Sequence, residues 1–450
     1  MIIDGNDTKI KVKGNIAEIS GNYNITSLNK ALTFKSPNYW FSPAYKSGVW
    51  DGRVKFLKNN KFPVGFLQRA TKILGKDVKI EYIGNYPKVN LNNLTEYLDR
   101  ANLRDYQIDA IKCGIKNRLG IINLAANAGK SRCIAGIISA FPQSQFLVLA
   151  HRIDILTELQ ETFDEFLTMQ NYELSTFQSA KKYDLTQFNG VLVDEVQTVA
   201  ANTFYKIVSS CVNANIRLGF SATPKRSDGK DYYIEAAVGK PIIKLEQSKL
   251  IEKGISVKPK IYLIPYKVDF IDNKSYSRAE DMLINDKGRN RIIANLCKNR
   301  NEVMILFRRI DHGKILHNLI PNSVYIDGND TKSKRDKIKK DFKENKIKVL
   351  LSSNIFDTGV NLNNIKTLIL AWAGKSPFGL TQKIGRALRN CKGKDSVDIF
   401  CFAELGNRYF EQHTKIRVDE LTKEGYDIEI YDKGFKYIDI DGDKGLTCQI

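Results

Sequence analysis

Two short segments of this 450-residue chain carry residue types suited to work on a phosphate ester. In NLAANAGKSRCIAGIISAF, Ala128, Gly129, Lys130 and Ser131 fall between an apolar run that reads as a strand and a stretch that reads as a helix. Backbone N–H groups at such a helix start cradle phosphate oxygens. A lysine there reaches the β and γ groups, and the neighbouring hydroxyl ligates Mg²⁺, the roles expected of Lys130 and Ser131. In GVLVDEVQ, Asp194 and Glu195 follow a second apolar run, at the strand end where open α/β sheets collect their ligand-binding groups. Adjacent carboxylates in that place suit Asp194 to hold Mg²⁺ and Glu195 to orient and deprotonate an attacking water.

The elements that must position these groups follow from the hydrophobic pattern. From Leu103, short apolar runs (GIINLA, QFLVLAH, GVLVDEV, RLGFSAT) alternate with helical stretches such as Arg152 to Phe166, the pattern of buried parallel strands with crossover helices. The alternation returns after about residue 300 in EVMILFRR, SVYIDG, IKVLLSSN, KTLILAW and VDIFCF, with a lysine-rich helix over 332–343. Residues 1–100 hold short alternating runs, IKVKGNIAEI and VWDGRVKFL, and a helix near Val64 to Leu74, which together read as a small α+β module. The segment from Asn407 reads as a helix to about Glu424 and then short strands, YDIEIYD and FKYIDID, too small to stand alone.

Composition bounds the partners. Lys and Arg number 70 against 50 Asp and Glu, so the net charge is +20, the balance of a protein that meets a polyanion. The excess is uneven: +8 over 1–100, +1 over 101–243, +14 over 244–405 and −3 over 406–450. The near-neutral segment holds the phosphate loop, and the basic ones flank it. No apolar run approaches 18 residues and the first residues lack a signal-peptide order, so a cytoplasmic protein with no membrane partner is expected. Seven scattered Cys without a CxxC pair and four His argue against a disulfide framework or a structural zinc.

The order of the motifs carries more than any one of them. LRDYQ (103–107), GKS (129–131), VLAHR (148–152), TFQS (176–179), DEVQ (194–197) and SATP (221–224) are followed by SSNIFDTGVN (352–361) and QKIGRALR (382–389). This series resembles the superfamily 2 helicases and translocases over about residues 100–405. The resemblance implies an α/β fold of two tandem RecA-like parallel-sheet domains, 101–243 and 244–405, behind a small N-terminal α+β DNA-binding domain, 1–100. Residues 406–450 would then be a helix and short strands packed on the second domain. It implies ATP and Mg²⁺ as ligands, with Gln107 reading adenine, Arg104 placing its loop, and Asn127 and Arg132 joining Ala128 to Ser131 around the nucleotide. Gln197, Ser221 and Thr223 are the expected coupling residues. His151, Arg152, Thr176, Gln178, Ser353 and Thr358 fall in segments that track a nucleic-acid backbone. Gln382, Arg386 and Arg389 are expected on one helix face, with the two guanidinium groups supplied to the γ-phosphate across the domain cleft and Gly359 facing the same cleft. Leu124, Asn127 and Gln197 depart from the family's pattern, though Asn tolerates the left-handed backbone such a loop uses.

Within the first hundred residues, NYWFSPAYKSGVWDGRVKFLKNNKFPVGFL resembles the region preceding the motor of phage UvsW-type recombination helicases. That resemblance implies an ATP-dependent DNA helicase acting on forked or four-way DNA, alongside recombination or replication proteins. Two readings of the rings Trp40, Phe41, Tyr45 and Trp50 are open. Interleaved with Lys46, Arg53, Lys55 and Lys58, they are suited to stack on exposed bases beside neutralised phosphates, or they form the core of the module. The rival functions are an RNA-remodelling helicase and a non-catalytic nucleic-acid-binding or annealing protein.

Overall fold

A computed structural model of the chain describes residues 8–431, apart from 76, 198–200, 227, 268–274, 354–362, 373–379, 381–383 and 392. The roles expected of Thr358, Gly359 and Gln382, and the terminal strand FKYIDID, lie outside the described residues. The chain divides into two compact units, Met1–Glu246 and Gln247–Ile450.

The first unit begins with strands β1 (Lys9–Lys13), β2 (Ile16–Ser20), β5 (Lys61–Pro63) and β6 (Lys79–Tyr82), in the order β5-β2-β1-β6. β1 and β2 alternate exposed and buried residues, as expected of strands with one wet face. β3 (Thr33–Lys35) and β4 (Arg53–Lys55) form a separate antiparallel ribbon. This N-terminal part is not packed on itself alone. Phe34, Phe56 and Phe66 share a core with Tyr232 and Ala236 of the helix Asp231–Val238, and Arg69 donates to both Glu235 carboxylate oxygens at 2.8 and 2.5 Å.

The rest of the unit is a six-stranded sheet in the order β12-β7-β11-β10-β8-β9, with every described pairing parallel. Its strands are β7 (Leu119–Leu124), β8 (Phe146–Ala150), β9 (Tyr172–Thr176), β10 (Gly190–Asp194), β11 (Ile216–Ser221) and β12 (Pro241–Leu245). β8, β10 and β11 are buried at every residue, because helices cover both faces of a parallel sheet. The register sets Asp194 beside Phe220 and Ser221 beside Asn123. The ends of β10, β11 and β7 thus lie level at one sheet edge.

The second unit is a seven-stranded parallel sheet in the order β15-β16-β14-β17-β18-β13-β19. It comprises β13 (Lys258–Lys267), β14 (Val303–Phe307), β15 (Ser323–Ile326), β16 (Val349–Ser353), β17 (Thr367–Leu370), β18 (Ser396–Leu405) and β19 (Ile428–Ile430). The basic helix Lys332–Lys343 joins β15 to β16, and the helix Arg408–Lys423 brings the tail to the β13 edge. Both sheets are of the α/β class read from the sequence.

A buried ion cluster fixes that tail. Glu404 accepts from Arg289 Nη2 and from Arg417 Nη2, each at 3.0 Å, and the Arg289 guanidinium lies 4.3 Å over the Phe402 ring. Glu404 is wholly buried, so removing its charge strands two buried cations. Glu404→Ala is expected to destabilise the second unit by about 3–5 kcal/mol in urea unfolding. A loss below about 1 kcal/mol, the range of exposed pairs, would show that the cluster holds nothing together.

Candidate nucleotide-hydrolysis site

The phosphate loop follows β7 and closes into the helix Lys130–Ser139. Two residues take the left-handed backbone it needs, Asn127 at φ 67° and Gly129 at φ 80°. Gly129 is required for a further reason: a Cβ there would stand 2.2 Å from Gln107 Nε2. Gln107 is 1% exposed, donates to the Ala128 carbonyl at 2.9 Å and accepts from the Arg104 N–H at 2.9 Å. Both ends of its carboxamide are thus used within the protein. These contacts make Gln107 a strut of the loop, and each end of the amide keeps one further hydrogen-bonding position. Arg104 caps the helix Asp105–Asn117 and reaches Tyr106 Oη at 3.2 Å.

The Arg132 side chain is engaged outside the loop. Its guanidinium donates to the Ala101 carbonyl at 3.2 Å and lies 4.8 Å over the Phe166 ring, so it packs the helix Leu91–Ala101 against its neighbours. Ser131 is half-buried in the first turn of its helix, and Ala128 is fully buried.

The two segments singled out for chemistry meet. Lys130 Nζ lies 2.8 Å from Glu195 Oε1, and the other Glu195 oxygen accepts from Gln197 Nε2 at 2.8 Å. Gln197 Oε1 accepts from Ser221 Oγ at 2.6 Å, and Ser221 Oγ accepts from the Thr223 N–H at 2.9 Å. Hydrogen bonds therefore run unbroken from the phosphate loop through Glu195 to the end of β11. Glu195 itself sits at φ 48°, a conformation that costs a side-chain-bearing residue energy and clusters at functional sites.

Asp194 differs from its neighbour. It is buried, and among the described residues its Oδ1 has no hydrogen-bond partner. Burial, reinforced by the adjacent Glu195 charge, pushes its carboxyl up to about 7. Among the described residues no three His, Cys, Asp or Glu side chains converge as a metal cage. One hard carboxylate oxygen and one hydroxyl is instead the donor set of an Mg²⁺ that completes its shell with phosphate and water. Asp194 and Ser131 fit that ion.

Two residues at this edge escaped the motif reading. With its amide oriented to satisfy both contacts, Asn123 donates to the Ser221 and Ala222 carbonyls at 3.0 and 2.9 Å. Arg226 donates to the Gln197 carbonyl at 3.1 Å. Neither belongs to a recognisable pattern, since each bond joins residues distant in sequence.

Two of the segments expected to track nucleic acid leave the same sheet edge. His151 and Arg152 follow β8, and Thr176 and Gln178 end and follow β9. Gln178 is exposed, whereas Thr176 is spent on a turn with Ser179, and Arg152 Nε donates to Asp154 at 3.1 Å. Ser353 ends β16 with its hydroxyl buried and, among the described residues, without a hydrogen-bond partner. In the N-terminal part, Arg53 is exposed, and the Trp50 indole N–H donates to the Arg53 carbonyl at 2.7 Å.

The second unit corrects one expectation. Arg386 and Arg389 do not share a helix face, because the helix ends at Ala387 and Arg389 bridges Ser256 in extended geometry. Lys394 stabilises that ending. Its Nζ donates to the carbonyls of Ala387, Arg389 and Asn363 at 2.6, 3.0 and 2.8 Å, and burial lowers its ammonium to about 8. Nothing in the run CKGKD marks Lys394 as the buried lysine.

Comparison with known proteins agrees with this geometry. Residues 100–185 match the family "Type III restriction enzyme, res subunit", and residues 286–391 match "Helicase conserved C-terminal domain". The chain is 24% identical to the ATP-dependent DNA helicase uvsW of Enterobacteria phage T4, over 91% of this chain and 94% of that protein. It is 26% identical to the DNA 3'-5' translocase XPB2 of Sulfurisphaera tokodaii, over 66% of this chain and 81% of that one. Its fold is shared with Saccharomyces cerevisiae Dbp5 bound to RNA and ADP BeF3, at a TM-score of 0.53 and 13% identity, covering 75% of this chain and 93% of that one. Among the described residues no helix is long and apolar enough to cross a membrane. The chain thus matches helicase family models over two segments, has two parallel α/β sheets of the RecA-like kind, and is similar over most of its length to a UvsW helicase.

Proposed function

We propose that this protein is an ATP-driven DNA motor that unwinds and branch-migrates forked or four-way DNA. The observation that carries the motor is the chain of bonds Lys130–Glu195–Gln197–Ser221, which ties the phosphate loop to the base and to the end of β11. Ser131 and Asp194 would hold Mg²⁺, which supplies charge neutralisation at the β and γ phosphates. Lys130 exchanges its Glu195 partner for the γ-phosphate when nucleotide enters. That exchange frees a Glu195 oxygen to take a proton from water, while Gln197 keeps the carboxylate oriented. Gln197 also holds Ser221, so each change at Glu195 is passed on to the SATP segment. Arg386 and Arg389 belong to the proposal as cations for the transferred phosphoryl group.

Support for DNA as the substrate comes from the similarity to the phage protein across nearly the whole chain and from the +20 net charge. The test is the steady-state ATPase rate with no nucleic acid, single strand, duplex, a four-way DNA junction and matched RNA. Branched DNA is expected to stimulate most, and Lys130→Ala is expected to abolish the stimulated rate. Stimulation by RNA alone would transfer the assignment to RNA remodelling. No stimulation by any of them would leave only a binding protein.

A further inference from the structure

The segment between β3 and β4 is a small arm, and its rings divide into two groups. Tyr39 is its internal post. It packs edge-on against Trp40 at 5.2 Å and Tyr45 at 4.5 Å, with Lys35 Nζ 4.5 Å above its own ring. Gly52 makes room for it, since a Cβ there would lie 2.5 Å from the Tyr39 ring. Trp50 is tied back at both ends, its backbone N–H to the Ala44 carbonyl and its indole to the Arg53 carbonyl.

Trp40 and Phe41 lean on each other at 5.8 Å and are largely turned to solvent. They are 50% and 69% exposed, and neither short helical turn of the arm, Tyr39–Phe41 or Pro43–Lys46, buries any residue. An exposed pair of large rings on a stitched scaffold marks an interaction surface. Its electrostatics select the partner: between Lys30 and Lys61 the chain carries seven Lys or Arg and one carboxylate, Asp51, which is paired with Lys55 at 2.9 Å. Behind the tip lies a cavity of about 470 Å³ lined by Tyr39, Phe41, Trp50, Lys230, Tyr232 and Tyr233. Rings with open faces inside a cationic surround suit unpaired nucleobases, whose π-faces stack while neighbouring phosphates are neutralised.

We infer that Trp40 and Phe41, with the aromatic cavity behind them, form a stacking site for an unpaired nucleotide of a branched DNA strand. The inference rests on the proposed action on DNA and deepens it. Trp50, one of the four rings offered by the sequence for this contact, braces the arm that presents the pair.

The experiment uses the full chain and a DNA fork carrying 2-aminopurine at the unpaired position next to the branch. Wild type is expected to quench the fluorophore by stacking. Trp40→Leu with Phe41→Leu keeps the apolar area without π-faces and is expected to lose the quench and weaken fork binding by tenfold or more. Trp40→Phe with Phe41→Tyr is expected to restore both. Equal quenching by the leucine and aromatic variants would overturn the site, as would no quenching by wild type. ATP hydrolysis by wild type on the same fork is read in parallel. Hydrolysis without quenching sinks the stacking site alone, whereas quenching without hydrolysis sinks the motor and leaves the site standing.

Discussion

Glu195→Gln is expected to lower kcat for ATP hydrolysis by about 10²–10⁴-fold, the usual contribution of a positioned general base. The amide keeps the size of the side chain and its bond to Gln197, but it cannot accept the proton of the attacking water. It also dissolves the 2.8 Å ion pair that holds Lys130. Lys130 then meets the phosphates without first giving up that carboxylate, so nucleotide affinity is expected to hold or rise while turnover collapses. Single-turnover hydrolysis together with titration of a fluorescent ATP analogue separates the two effects. A kcat within about threefold of wild type would place the base elsewhere. A matching loss of affinity would show that Glu195 acts mainly by shaping the loop.

Asp194→Asn is expected to have opposite effects on stability and on activity. The carboxyl is raised from 3.8 to about 7 in the folded chain by burial and by Glu195. Between those values the folded state keeps a proton that the unfolded state has shed, so stability falls as pH rises through this window and is flat above it. A shift of that size corresponds to at most about 4 kcal/mol of charge burial, fully felt at pH 8. Asparagine does not carry that cost. The variant is therefore expected to melt several degrees higher than wild type at pH 8 without Mg²⁺, to lose the advantage toward pH 4, and to lose Mg²⁺-dependent hydrolysis. Equal Tm at pH 8 would mean that Asp194 is not a buried carboxylate with an unsatisfied oxygen. The site thus carries two costs, the Glu195 backbone at φ 48° and the buried Asp194 charge.

What the residues disclosed in advance was local. GVLVD and FLVLA read as buried parallel strands because every position is apolar up to the functional end, and both are buried at every residue. Asn127 was compatible with a left-handed loop, and it adopts one. The features that escaped notice depend on partners far along the chain. That Gln107 also braces the phosphate loop shows only when Ala128, 21 residues away, is seen to take its amide. Arg389 keeps helical spacing from Arg386, yet the chain leaves the helix to pair with Ser256, more than a hundred residues earlier. Trp40 and Trp50 are equally aromatic in sequence, and only the fold shows one presented to solvent and the other bonded to its own arm.

The most direct test of the central claim is movement of a four-way DNA junction by the full-length chain, followed by separation of labelled strand products, with wild type and Glu195→Gln side by side. Wild type is expected to convert the junction only with hydrolysable ATP and Mg²⁺, and Glu195→Gln is expected to bind it without converting it. Conversion at equal rates by both proteins, or without ATP, would contradict the account, since branch movement would then not draw on the Lys130–Glu195 centre.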